Sequence, residues 1–434
     1  MRDVVIVSLV LFFGVMALTR PWIGVMLWTW LSIMNPHRYA WGFAVDAPLA
    51  AIAAGTTLIG LIYTRDRSSP FKGAATVLLV MLMLWMTLSW LVGLDPATDY
   101  EQWKKVMKID FMIIVALMLL HTKEHILALV WVAAGSMALL GVKGGVYTLV
   151  GGGTGRVWGP PGSFIADNNE FALALIMTIP LLRFLQQQLT NKWGGWAMTG
   201  AMLLCAIAAL GSYSRGALIA IAAMTLSFWW RGKNKLLIGI VLVAASFALI
   251  GFMPENWMGR MNSIVDYEQD QSAMGRISAW WNAWNIGLNR PFGVGFDAAR
   301  PELFAQYSPY PNMIHAAHSI YFQILGNHGF VGLFLFLGIW LMTWRSAGWL
   351  RINAKDIPQA RWCAELGAMC QVSLIGYLVG GAFLSLAYFD LPFDVMVAVV
   401  LAKKWVEARA WEREPVYQPG WKTIPGLSRP VPSA

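Results

Sequence analysis

The chain has 434 residues, 58% of them hydrophobic and only 13% charged, where a soluble domain carries about 25% charged residues. With a mean hydropathy of +0.56, this excludes an ordinary soluble enzyme and places the chain in the membrane class. The net charge of +9 points to cytoplasmic anchoring, anionic lipid or an anionic substrate; with no soluble basic domain to carry it, it argues against nucleic acid.

Apolar runs fall at 4–19, 22–34, 46–63, 74–93, 109–120, 125–142, 170–184, 196–211, 217–230, 236–253, 319–343, 364–386 and 390–402. A span needs roughly 20 residues, so several runs borrow flanking residues. Arg20-Pro21 leaves the first two readable as one broken span. The expected fold is all-α, a polytopic integral membrane protein of about 12 helices. One transmembrane domain is expected over 1–411, then a Pro-rich, flexible cytoplasmic tail over 412–434. Residues 4–19 mimic a signal peptide but run into a second apolar segment without a small-residue cleavage site, which reads as a retained anchor. The 24 Trp suit membrane interfaces. Cys205, Cys363 and Cys370 form no even framework in outward loops, so no structural disulfide is expected.

Lys and Arg in short loops set orientation. Basic groups at Arg65/Arg67/Lys72, Arg231/Lys233/Lys235, Arg345/Arg351/Lys355/Arg361 and Lys403/Lys404/Arg409 are all assignable to the cytoplasm with alternating spans. The opposite side then receives 94–108, 143–169, 212–216 and the long loop at about 254–318. Within that loop, 272–290 reads as an amphipathic helix with Ile277, Trp280, Trp281, Trp284 and Leu288 as its apolar stripe.

The outward segments hold cations that break the positive-inside trend: Lys104, Lys105, Lys108, Arg156, Arg215, Arg260, Arg276, Arg290 and Arg300. An anionic ligand at that face supplies a reason, since guanidinium is a planar donor to phosphate oxygens. Arg215 is the sharpest case, in a short turn between apolar runs; it reads either as a snorkelling turn residue or as a phosphate ligand. His318 opens an apolar run and reads either as a helix-cap residue or as a base for a hydroxyl nucleophile. His315, three residues earlier, also allows a metal pair, but no HExxH or clear third ligand accompanies it. His328 reads as a packing or hydrogen-bonding residue. Asp167-Asn168-Asn169-Glu170 reads as an N-cap with an acidic first turn, or as partners for an arginine or an acceptor sugar. The glycines at 151–155 lack the GK[ST] ending of a P-loop.

Three segments in order resemble the O-antigen ligase and polymerase superfamily: SRGA at 214–217, GRISAWWNAWNIGLNRPFGVGFD from Gly275, and HSIYFQILGNHGFVG from His318. The N-terminal RPWIGVMLWTWLSIMNPHRYAWGF resembles the branch of O-glycosylation ligases associated with exosortase systems. The resemblance implies about twelve spans in the bacterial inner membrane, with a periplasmic active site. It implies an undecaprenyl-diphosphate-linked glycan as donor and a lipid A-core sugar hydroxyl as acceptor, with inversion and with neither metal nor nucleotide cofactor. The family's two arginines fall on Arg215 and Arg276, and its histidine on His318; Ser319 stands where the family often has Asn. Arg156, Arg290, His315 and Asn168 are further candidates for diphosphate or acceptor contacts. Relatives use protein or glycan acceptors, so a protein O-oligosaccharyltransferase and a glycan polymerase stay open. A non-enzymatic lipid-glycan transporter would place ionisable residues along a mid-membrane path; the basic residues here sit at the ends of the apolar runs.

Overall fold

A computed structural model describes residues 1–231, 235–236, 239–240, 251–262 and 271–413, without the side chains of 231, 256 and 260–262. Most of the apolar run 236–253, the side chain of Arg260 and nearly all of the expected tail at 412–434 therefore lie outside the described residues. Among the described residues the chain is helical without strands, as a lipid environment requires of backbone that must satisfy its own hydrogen bonds. In chain order the helices are α1 (Arg2–Thr19), α2 (Pro21–Met34), α3 (Leu49–Tyr63), α4 (Ala74–Leu91), α5 (Pro96–Leu119), α6 (Lys123–Val150), α7 (Asn168–Gln188) and α8 (Lys192–Gly211). They continue with α9 (Arg215–Arg231), α10 (Glu255–Asn262), α11 (Gln271–Asn289), α12 (Pro301–Tyr307), α13 (Ile320–Asn353), α14 (Arg361–Gly380) and α15 (Asp390–Glu407).

Among the described residues, 7 helices are long and apolar enough to cross a membrane, and α2, α3 and α9 are shorter apolar helices. The chain is a polytopic membrane protein. Two expected spans, 109–120 and 390–402, fall in α5 and α15, which carry too many charged residues to count among the seven. Arg20 separates α1 from α2, and a Cβ at Gly24 would lie 2.9 Å from that of Ala17, so the chain folds back here and the two runs are distinct helices.

The core lies at α7 and α15. The apolar window of α7 is 89% buried, and α15 is buried along nearly its whole length. Packed in it are three acids to which loop charge gives no clue: Asp110, Asp390 and Asp394, with Asp390 accepting from the Ser32 hydroxyl at 2.6 Å. The three cysteines are buried and free.

The four segments expected on one side of the membrane meet at one end of the bundle. Leu94 N donates to Val294 O at 3.1 Å, and Arg300 pairs with buried Asp99 at 2.7 Å. Tyr213 Oη donates to Gly153 O at 2.6 Å, and His318 approaches Glu170 at 3.6 Å. Three of the four basic groups expected on the opposite side also meet, since Lys404 Nζ donates to Ser69 O at 2.7 Å and Lys72, Arg345, Arg351, Lys403 and Lys404 line one cavity.

Helix α11 turns its stripe the other way from a water-soluble amphipathic helix. Its buried face is small and polar, Gly275, Ser278, Ala279, Asn282, Ala283, Ile286 and Gly287, while Trp281, Trp284 and Leu288 are exposed. Small residues let helices approach closely where lipid removes the hydrophobic penalty on large outward side chains. Helix α13 is broken at Gly329, whose φ is 68° and ψ −174°. The Pro291–Gly295 turn fills the break, with Val294 N and Gly295 N both donating to Asn327 O at 3.1 Å. His328 is fully buried there, its Nδ1 3.0 Å from Ser89 Oγ and its Nε2 2.8 Å from Tyr388 Oη. The glycine-rich ends of both long motifs are therefore a structural joint, and His328 is a hydrogen-bonding residue as expected.

Candidate functional site

His318 stands between a strap (308–317) and the first turn of α13. The strap is tied to α11: Ser278 Oγ lies 2.8 Å from Ser308 Oγ, Ser278 Oγ donates to Tyr310 O at 3.1 Å, and Trp280 Nε1 donates to Ala317 O at 2.7 Å. His318 itself has φ 41°, a left-handed conformation unfavourable for a side chain with a Cβ and held only by surrounding structure. That backbone aims its imidazole inward, with Nδ1 3.6 Å from Glu170 Oε1 and the two side chains 24% and 7% exposed. The same Glu170 oxygen accepts from Ser385 N at 3.2 Å, which fixes the carboxylate from the far side.

The turn that carries Glu170 also reaches the turn that leads into Arg215. Asp167 caps α7 by accepting from Asn169 N at 2.9 Å. Burial raises the Asp167 carboxyl, but hydrogen bonding with Glu170 and Asn169 and the nearby His318 outweigh it and hold the group below the usual carboxylate range. The next residue, Asn168, is buried and donates to Ser212 O at 2.6 Å. Ser212 to Ser214 form the turn before α9; Ser214 Oγ accepts from Ala217 N at 3.2 Å, capping the helix that Arg215 opens. Arg156 lies across this turn, its Cζ 5.8 Å from the Tyr213 ring centroid.

Arg276 enters from α11. The His315 ring lies directly on its neighbour Gly275, where a Cβ would come within 2.2 Å of His315 Cδ2; only a glycine admits the imidazole there. The His315 and His318 rings are 6.1 Å apart. Partial burial, the neighbouring His318 and the positive charge of Arg276 lower the His315 pKa, so this imidazole is biased towards its neutral form. Among the described residues no three His, Cys, Asp or Glu side chains converge as metal ligands.

Arg156, Asn168, Arg215, Arg276, His315 and His318 thus gather at one end through direct contacts or one shared turn. Arg290 does not join them. It lies just past the end of α11, about 21 Å along the helix from Arg276 at 1.5 Å per residue, with Nε 3.3 Å from Tyr307 Oη. Arg300 is held by Asp99, Asp95 and Asp297 and serves as a clamp between α5 and the long loop. Glu170, which in the sequence reads either as part of a helix cap or as a partner for an arginine or an acceptor sugar, is the further member of the site, placed beside His318. Its only signal there is an acid one turn into an otherwise apolar helix.

Residues 200–337 match the family described as O-antigen ligase, and residues 1–190 match a family of unknown function. No curated protein matches the chain. Arg215, Arg276 and His318 fall in the first of these segments, and Arg156, Asn168 and Glu170 in the second.

Proposed function

From the place of residues 200–337 in the O-antigen ligase and polymerase superfamily, we propose that the chain transfers a glycan from undecaprenyl diphosphate to a sugar hydroxyl of lipid A-core. The active site faces the periplasm from the bacterial inner membrane. Arg215 and Arg276 hold the diphosphate and stabilise the charge that grows on it as the anomeric C–O bond breaks; stabilising a developing charge is often the largest catalytic contribution. The acceptor oxygen attacks the anomeric carbon from the opposite side and inverts it. His318 takes the acceptor proton, and undecaprenyl diphosphate leaves. Glu170, beside the imidazole, orients it and stabilises the imidazolium that forms. Arg156 and Asn168 brace the Arg215 turn, and His315 lines the acceptor side next to Arg276.

The observation that carries this reading is the pairing of His318 with the almost fully buried Glu170, on the turn whose Asn168 holds the loop leading into Arg215. A histidine with a carboxylate behind it, at the same end of the bundle as two guanidinium groups, suits proton removal from a hydroxyl opposite an anionic leaving group. The test is transfer by the purified chain from a polyprenyl-diphosphate glycan, with lipid A-core, peptide and free glycan in competition. Preferential modification of lipid A-core supports the ligase. Preferential modification of peptide or glycan replaces it with protein O-oligosaccharyltransfer or polymerisation, and no transfer to any acceptor removes the reading.

A further inference from the structure

A second opening, of about 460 Å³, lies at the same end of the bundle between α2, the outward half of α5 and the loop at 162–164. Trp28, Leu31 and Ile109 give it an apolar floor. Its rim carries Arg38, Lys104, Lys105 and Lys108 against one carboxylate, Glu101, which Lys104 already binds at 2.6 Å. Among the described residues Arg38, Lys105 and Lys108 have no carboxylate in ion-pair contact. Lys105 and Lys108 are three apart and share a helix face. Lys105 Nζ lies 3.7 Å from the centroid of the Phe164 ring, and the Arg38 guanidinium rests against Gly162, where a Cβ would lie 3.4 Å from Cζ. His37, also on the wall, keeps a buried Nδ1 without a hydrogen-bond partner. Buried Asp390 attracts Lys105 without an ion-pair contact; beyond that the three cations, beside an orphaned ring nitrogen, repel one another unless an anion sits between them.

The groove is built wholly from residues between 28 and 164, inside the segment of unknown family and outside 200–337. One loop joins it to the site above: Phe164 walls the groove, and Gly159 N donates to Ala166 O at 3.2 Å just before the Asp167–Glu170 turn. An apolar floor under a basic rim fits an amphiphile with phosphate at its membrane boundary. The donor diphosphate must lie at the reacting carbon, beside Arg215 and Arg276. A lipid-anchored acceptor instead presents its hydroxyl some sugars away from its anchor, so its anchored end needs a separate hold.

We propose that this groove binds the phosphate of a membrane-anchored glycolipid, the anchored end of the acceptor. The word acceptor rests on the function proposed above; the binding itself does not.

The experiment uses the full chain in phosphatidylcholine nanodiscs, titrated by native mass spectrometry with bisphosphorylated lipid A and with its dephosphorylated form. Wild type is expected to prefer the phosphorylated lipid. The Arg38→Gln/Lys105→Gln/Lys108→Gln variant is expected to weaken that binding about a hundredfold, at about fivefold per cation. It should keep polyprenyl-diphosphate binding, which also reports that it is folded; Arg215→Ala/Arg276→Ala should do the converse. Equal binding of the two lipid A forms, or an unchanged preference in the triple variant, overturns the proposal. Displacement of the lipid by equimolar inorganic phosphate also overturns it, as a free-anion site. Phosphate-dependent binding without any glycan transfer supports the groove and removes only the transfer reading.

Discussion

Glu170→Gln removes the ionisable carboxyl while keeping the shape of the side chain and its ability to accept from Ser385 N. In the proposed reaction the imidazolium forms with its Nδ1 3.6 Å from the Glu170 carboxylate. Unit charges at that separation attract by about 1 kcal/mol in bulk water and about 5 kcal/mol at an effective dielectric of about 20. Glu170 is 7% exposed and His318 24%, so the value falls between these limits. At about 1.4 kcal/mol per tenfold, the variant should lose between about fivefold and about four thousandfold in kcat. Because the carboxylate acts through His318 and not on the donor, KM for the polyprenyl-diphosphate glycan should stay unchanged. The assay is initial-rate transfer in proteoliposomes with the product resolved by mass spectrometry, alongside thermal unfolding in detergent. Wild-type kcat in a fully folded Glu170→Gln protein would refute the reasoning, as would a loss confined to donor KM.

Arg300→Ala strands the Asp99 carboxylate, which is 2% exposed; breaking such a pair costs about 3–5 kcal/mol, so the thermal midpoint should fall while the folded fraction keeps its donor and acceptor KM. Gly329→Ala places a methyl group 2.2 Å from Pro291 O at a φ of 68° and should destabilise by at least about 1–3 kcal/mol, read as a lower unfolding midpoint without any change in acceptor choice. Chelation by EDTA should leave the transfer rate unchanged; a loss restored by added divalent cation would instead make His315 and His318 metal ligands.

Much of the site and its setting is legible in the sequence, for identifiable reasons. Arg215 and His318 stand out because a charge or an imidazole at the edge of an apolar run is costly without a task. The shared end of the outward segments follows from loop charge and strict alternation. The pairing of Glu170 with His318 stays hidden because an acid in the first turn of a helix is already explained by the helix dipole, and only the left-handed backbone at His318 brings the two together. The stripe of α11 misleads because hydrophobic periodicity marks the face that avoids water; beside lipid, Trp281 and Trp284 can point outward while Gly275 and Ser278 pack. The break at Gly329 lies inside one long apolar run, where periodicity carries no signal. Arg38 draws no notice beside Lys104, Lys105 and Lys108 because only the packing of α2 against α5 makes them neighbours.

The central claim is tested most directly by single-turnover transfer in proteoliposomes with Arg215→Ala, Arg276→Ala and His318→Ala, each checked for insertion and folding. Each substitution should abolish glycan transfer in an inserted, folded protein. Transfer at the wild-type rate by all three would mean that the arginine and histidine cluster at this end of the bundle is not where the glycan changes hands.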